Sequence, residues 1–479
     1  MLFNSFDFGL FLAIVFILYW LISSQRLKQQ NILLLCASYI FYGIWDWRFL
    51  ILIFLSSIVD FYASQKIESS SQTSHKKIWL YLSIFWNLGV LFTFKYFNFF
   101  LDNFKALFDI SETGFSTLNI IIPVGLSFYT FQTMSYTIDV YRKNLKPTHN
   151  LLQFLCFVSF FPQLVAGPIE RAGRLLPQFN TARSFDYTKA KDGLRQILWG
   201  LFKKVVVADN LGIAVSAIYA SPEDFSSLTL VYAAVLFWFQ LYCDFSGYAD
   251  IAIGSARMMG FNLSANFRLP YTVSTTTAFW RKWHITLSKW FRDYLFMPVV
   301  KWGRKCNISK RYTKLIAIFT TMTLMGFWHG ANWTYIIFGA LCGCLIIFES
   351  IKLSGKYKHK NIHALFEANP VISKLYFIPT VTLLMLFFRS LDVENAWLML
   401  KTIFAPNVPF YQIKTIIGWK LGFLVFMIAV ELLQKNKLHG LENLERRLPK
   451  FVRWVGYYVL IFTIIRYGGP QEQFIYFQF

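Results

Sequence analysis

The chain has 479 residues, of which 56% are hydrophobic and 20% aromatic, and it carries a formal net charge of +22. Soluble globular chains average nearer ~45–50% apolar residues; here the excess falls in separate runs of membrane-spanning length, which excludes an ordinary soluble domain and predicts an all-α, polytopic membrane protein of roughly 10–12 transmembrane helices plus re-entrant and interfacial helices. The basic residues lie between the apolar runs, as cytoplasmic loops do, so the charge points to a lipid bilayer and not to nucleic acid.

Four spans open the chain, at Phe8–Ile22, Ile32–Ile44, Phe49–Ala63 and Ile78–Phe94. The first has no basic segment before it and no small-residue cleavage site after it, and reads as an uncleaved span. Arg26 and Lys28 place the next loop in the cytoplasm and the N-terminus outside. The Trp45-Asp46-Trp47-Arg48 turn is then outside, Lys66, Lys76 and Lys77 inside, and the acidic stretch from Asp102 to Glu112 outside. Ile120–Val140 contains Pro123, Gly125, Ser127, Gln132, Thr133 and Ser135, too many polar groups for a lipid-facing helix, and is expected to pack inside the protein or line a cavity.

Leu151–Val165 is expected to dip into the membrane and return at Pro162 to Pro168, because a crossing would strand Arg171, Arg174, Arg183 and the lysines that follow on the outer side. Val205–Ala220 and Thr229–Ile253 are spans. From Arg281 to Lys314 there are ten Lys or Arg and one acid, Asp293. That is the strongest orientation signal in the chain, and a cytoplasmic surface where an anionic ligand would collect. Leu315–Phe348 is roughly 50 Å long as helix at ~1.5 Å per residue, too long for one span of a ~30 Å core. It is expected to be a hairpin broken at Gly326 and Gly330. Phe377–Phe388, Ile416–Leu433 and Val455–Ile465 complete the spans, leaving Gln471–Phe479 outside. Lys401, Lys414 and Lys420 then fall on the outer side, against the general bias. The whole chain, 1–479, reads as one membrane domain with its chemistry in residues 240–350.

Six cysteines, five of them in or beside apolar runs and none in a C-x-x-C pair, indicate neither a disulfide framework nor a metal site. Of seven histidines, His75, His149, His359, His363 and His439 sit in polar loops and read as solvated. His284 and His329 alone lie amid aromatic sequence. His329 stands at the expected break, in Gly326-Phe327-Trp328-His329-Gly330-Ala331-Asn332-Trp333, and an ionisable group within the membrane is a functional candidate. Imidazole takes a proton near neutral pH, so His329 could deprotonate a hydroxyl; a His held by backbone at a kink is the competing reading. His284 follows Trp280, Arg281, Lys282 and Trp283 in a basic amphipathic helix expected from residue 278 to 295, N-capped within Thr275 to Thr277. It could equally be incidental to an interfacial anchor. Asp244, Ser246 and Asp250, in Cys243-Asp244-Phe245-Ser246-Gly247-Tyr248-Ala249-Asp250, form either a packing seam or a support for a catalytic His.

These stretches, with Ala166-Gly167-Pro168-Ile169-Glu170-Arg171, Phe3-Asn4-Ser5 and Phe474-Ile475-Tyr476-Phe477-Gln478-Phe479, resemble the membrane-bound O-acyltransferase family, in its alginate O-acetyltransferase-like branch, from end to end. The resemblance implies His329 as the catalytic His and His284 as a second active-site His; Asp244, Ser246, Asp250, Trp280, Arg281, Trp328 and Asn332 are read beside them as supporting or tunnel-lining residues. It implies a bacterial inner-membrane enzyme with a tunnel joining a cytoplasmic donor side to an outer acceptor side. The acyl group, taken as acetyl, would come from acetyl-coenzyme A or an acyl-phosphopantetheine carrier, with no tightly bound cofactor and no metal. It would pass to a polysaccharide, directly or through an extracytoplasmic esterase-like partner. D-alanyl transfer to teichoic acid, a transporter and a non-catalytic secretion scaffold are the alternatives. In every acyl-transfer version the His329 ring has to be reachable from both faces of the membrane.

Overall fold

The computed structural model describes residues 1–109, 121–165, 167–351, 361–405 and 418–477. Helices dominate throughout, and no β-strand occurs among the described residues. Four helices there are long and apolar enough to cross a membrane: Arg48–Ser69, Thr73–Phe108, Ser227–Met258 and Val371–Arg389. Phe6–Leu21 and Trp333–Glu349 are shorter apolar helices. The chain is an all-α, multi-pass membrane protein whose residues divide into two compact units, Met1–Ile197 with Tyr248–Ser264, and Leu198–Gly247 with Ala265–Phe479.

The first unit begins with the helices Phe6–Leu21, Leu27–Asp46 and Arg48–Ser69. Next, Thr73–Leu91 continues through a π turn at Phe92–Tyr96 into Phe97–Phe108. The outer loop expected from Asp102 is therefore helical as far as Phe108. Phe100, Phe104 and Phe108 recur every four residues and form an apolar stripe, with Phe104 and Phe108 ring centroids 4.7 Å apart; acid content alone concealed that periodicity. Leu126–Tyr141 is buried along most of its length, as its polar content required. It faces a buried carboxylate, Asp60, which accepts from Asn87 Nδ2 at 2.8 Å, from Thr137 Oγ1 at 2.9 Å and from Ser83 Oγ. A buried carboxylate persists only with such partners. Leu151–Ser159 has nine residues, ~14 Å of helix against a ~30 Å core. The chain then turns at Phe160 into Phe161–Leu164, with a proline in its first turn.

In the second unit, a π turn at Phe202–Ala208 leads into Asp209–Ala220. The predicted hairpin is present as Lys310–His329 and Trp333–Glu349. Its break lies at 330–332 only, and Gly326 stays helical. A Cβ on Gly326 would meet Tyr335 O at 2.3 Å and Gly339 Cα at 2.7 Å, so this glycine lets the two arms touch backbone to backbone. Pro370–Arg389, Val393–Phe404, Leu421–Leu433 and Lys450–Tyr467 follow. Of the histidines expected in solvent, His75 and His149 are exposed, but His439 is buried, its Nδ1 accepting from Leu441 N at 3.3 Å. His359 lies outside the described residues.

Candidate active site

The basic amphipathic helix expected around His284 is two helices. Thr276–Lys282 starts at the Thr275 cap, whose Oγ1 accepts from Ala278 N at 3.1 Å. It ends at Trp283, and Ile285–Phe291 begins after His284. His284 holds φ +40° and ψ 54°, a left-handed conformation that costs a side-chain-bearing residue energy. Asn266 fixes the break from the other side. Its backbone carbonyl accepts from Ile285 N at 2.9 Å, and its Oδ1 accepts from Thr286 Oγ1 at 3.0 Å and pairs with His284 Nδ1 at 3.1 Å. Because Oδ1 is an acceptor, Nδ1 carries the ring proton and Nε2 keeps its lone pair. His284 is fully buried and lies outside the spanning helices; desolvation pushes its pKa down to about 3, so the ring is neutral at physiological pH.

At this turn His284 packs against Trp328, near the end of the Lys310–His329 helix. Trp328 packs against both imidazoles, its ring centroid 6.1 Å from His284 and 5.1 Å from His329. Tyr476, in the C-terminal segment, also reaches both, at 6.2 Å from His284 and 5.5 Å from His329. Phe245 packs edge-on to His284 at 4.7 Å, and Phe388 on His329 at 5.2 Å. His329 is the last residue of its helix, followed by extended Gly330. A Cβ on Gly330 would meet the Tyr335 ring at 2.3 Å, so only glycine lets the chain leave this helix so close to that ring. Asn332 then caps the second arm, accepting from Thr334 N at 3.0 Å and donating to Leu391 O at 2.7 Å. His329 is 2% exposed. The ring expected to be open to both faces is enclosed by aromatic side chains among the described residues.

Of the other residues singled out, Trp280 is buried, its ring 6.4 Å from Phe338, which itself packs on His329 at 6.2 Å. Arg281 is exposed, and Ser246 is buried, its hydroxyl without a hydrogen-bond partner among the described residues. Asp250 belongs to the first unit, where its Oδ1 accepts from Gln196 Nε2 at 2.8 Å. Asp244 anchors the C-terminal segment: its Oδ2 accepts from Ile475 N at 2.9 Å, while Oδ1 pairs with Lys204 Nζ at 2.7 Å. Lys204 also donates to Asp209 Oδ1 at 2.7 Å and to Glu472 O at 3.1 Å. These groups border a cavity of about 40 Å³, also lined by Gln240 and Arg389, with room for water.

Asn266, Lys204 and Glu349 were not legible as site residues. Glu349 is buried and caps the Thr276–Lys282 helix, accepting from Thr276 N at 2.6 Å and Thr277 N at 2.9 Å. Only Tyr476 stood within a stretch already noticed. Among the described residues no group of His, Cys, Asp and Glu could hold a metal ion.

Comparison with known proteins agrees with this architecture. Residues 39–354 match MBOAT, the membrane-bound O-acyltransferase family. A protein named probable alginate O-acetylase from Pseudomonas aeruginosa is 37% identical over 403 residues, covering 83% of this chain and 73% of its own. Its namesake from Pseudomonas putida is 40% identical over 342 residues, 71% of this chain and 68% of that one. A peptidoglycan O-acetyltransferase of Helicobacter pylori is 32% identical over 425 residues, 83% of this chain and 78% of that one. With both histidines inside the matched span, the chain is an O-acyltransferase and belongs to the membrane-bound O-acyltransferase family.

Proposed function

We propose that this protein transfers an acetyl group from a cytoplasmic thioester to hydroxyls of an extracytoplasmic polysaccharide, directly or through a partner's nucleophile, from a bacterial inner membrane. The observation that carries the reading is that His284 and His329 pack against the same two rings, Trp328 and Tyr476, in buried aromatic surroundings. Two imidazoles in such a cage suit proton transfer better than transport. The relatives' names supply acetyl as the group and a polysaccharide as the acceptor class.

In the proposed reaction, His329 takes the proton of the acceptor hydroxyl as its oxygen attacks the thioester carbonyl. The new C–O bond forms, the C–S bond breaks, and the imidazolium returns the proton to the leaving thiolate. His284, neutral and tautomerically fixed by Asn266, offers Nε2 as an acceptor to a neighbouring hydroxyl of the same sugar and so orients the attacking one. The basic surface from Arg281 to Lys314 gathers the phosphorylated donor, acetyl-coenzyme A or a phosphopantetheine carrier. Aromatic walls exclude water, which would otherwise hydrolyse the thioester.

The test is ester-linked acetate on surface glycans of a deletion strain complemented with the native chain or with His329→Ala. Acetate restored by the native chain and absent with His329→Ala, at equal protein in the membrane, is the expected result. Full restoration by His329→Ala removes this residue from the mechanism; lost export with unchanged acetate per unit of polymer favours a transporter.

A further inference from the structure

The helices Leu421–Leu433 and Lys450–Tyr467 enclose a groove of about 800 Å³ within the second unit, remote in sequence from the two histidines. Its walls are apolar, with Phe423, Phe426 and Val430 on one helix and Val455, Val459 and Leu460 on the other. That volume falls within the ~300–1,000 Å³ range of sites that take a small molecule. The sequence holds the groove open. Gly422 and Gly456 line it, one from each helix, and a Cβ added to either would meet nothing within 4 Å. Glycine inside a helix costs stability relative to alanine, and here neither glycine is required by a close contact.

The charges are confined to one end. The lining contains Arg447 and Arg453 and no acid. Arg447 reaches the end of the first helix, donating from Nη1 to Leu433 O at 3.1 Å, while the buried Arg453 Nε has no hydrogen-bond partner among the described residues. Between 435 and 453 there are six lysines and arginines against two glutamates. An apolar trough with cations at one end fits an anionic amphiphile. A free anion would leave the trough unused, and a zwitterionic lipid would bring its own headgroup cation against two arginines with no acid in the lining to receive it.

We propose that this groove binds a phospholipid with an anionic headgroup, taken from the leaflet that the 434–449 loop faces, which the positive-inside bias makes cytoplasmic. Arg447 and Arg453 hold the headgroup phosphate, for which guanidinium geometry is suited, and an acyl chain lies between the helices over Gly422 and Gly456. The site is independent of the acyl-transfer reading.

The test uses the full chain purified in detergent, with phosphatidylglycerol or phosphatidylcholine of the same acyl chains added. Retained lipid is read by native mass spectrometry and the unfolding midpoint by heating. Phosphatidylglycerol is expected to stay bound and raise the midpoint by several degrees more than phosphatidylcholine, and glycerol phosphate without chains is expected to do neither. Arg447→Gln with Arg453→Gln should abolish the preference between the two lipids. Should that pair fail to fold, Gly456→Phe, which fills the open space and keeps both arginines, should abolish retention of phosphatidylglycerol. Equal effects of the two lipids, an equal effect of glycerol phosphate, or unchanged retention in Gly456→Phe overturns the proposal.

Discussion

The ring of Tyr476 stands 5.5 Å, centroid to centroid, from that of His329. A residue three positions from the end of the chain thus closes the cage around a histidine nearly 150 positions earlier. The segment is held in place by Asp244 on Ile475 N and by Lys204 on Glu472 O. Shortening Tyr476 removes one wall of the cage. Tyr476→Ala is expected to lower acetylation at least tenfold while membrane levels stay normal, measured as ester-linked acetate in complemented cells. Unchanged acetylation would make the contact incidental.

Asp244, Lys204 and Asp209 form a buried group in which one cation serves two carboxylates. Removing one partner of a buried ion pair costs about 3–5 kcal/mol. Lys204→Met is therefore expected to destabilise the protein and release the C-terminal segment. Limited proteolysis should then cut within residues 468–477, where the native chain resists. Loss of stability with a protected segment would place the role of Lys204 elsewhere.

Asn266 and Tyr476 illustrate what the sequence conceals. Both catalytic candidates stood out because imidazole is scarce in aromatic membrane sequence, and the broken hairpin followed from length alone. Asn266 lies in a stretch with neither periodicity nor unusual charge, and only its two-sided grip on His284 and Thr286 gives it a role. The helix around His284 looked continuous because Trp283, Leu287 and Trp290 keep helical spacing across a break that one left-handed residue makes. Gly326 looked like a helix breaker, whereas its missing Cβ serves the contact with Gly339. Spacing reports periodicity, and a single reversed φ or a close backbone approach leaves that period almost undisturbed.

Gly326→Ala follows from that contact. The added methyl would lie 2.3 Å from Tyr335 O, so the arms must separate. Overpacking of this kind costs about 1–3 kcal/mol. His329 lies within one turn, so transfer should fall together with the thermal midpoint. A variant with native stability and activity would show that the hairpin tolerates separation.

Buried and neutral, His284 has a pKa lowered to about 3, against an unperturbed 6.5. Above about pH 6.5 the ring is neutral in both folded and unfolded chains and stability does not depend on it. Between about 6.5 and 3 the unfolded chain takes up a proton that the folded one refuses, so stability falls as pH falls. His284→Asn, whose side chain tolerates the left-handed backbone, should flatten that part of the profile and abolish transfer without unfolding the protein. Thermal unfolding in detergent at pH 8, 6 and 4.5 reads the difference. An identical slope in the variant would assign the acid sensitivity to other groups.

The most direct measurement reconstitutes the purified chain in vesicles, with labelled acetyl thioester on the side of the Arg281–Lys314 surface and the acceptor, with any partner needed, on the other. Label is expected to cross to the acceptor as an alkali-labile ester with the native chain and not with His329→Ala. Equal labelling by His329→Ala would contradict it.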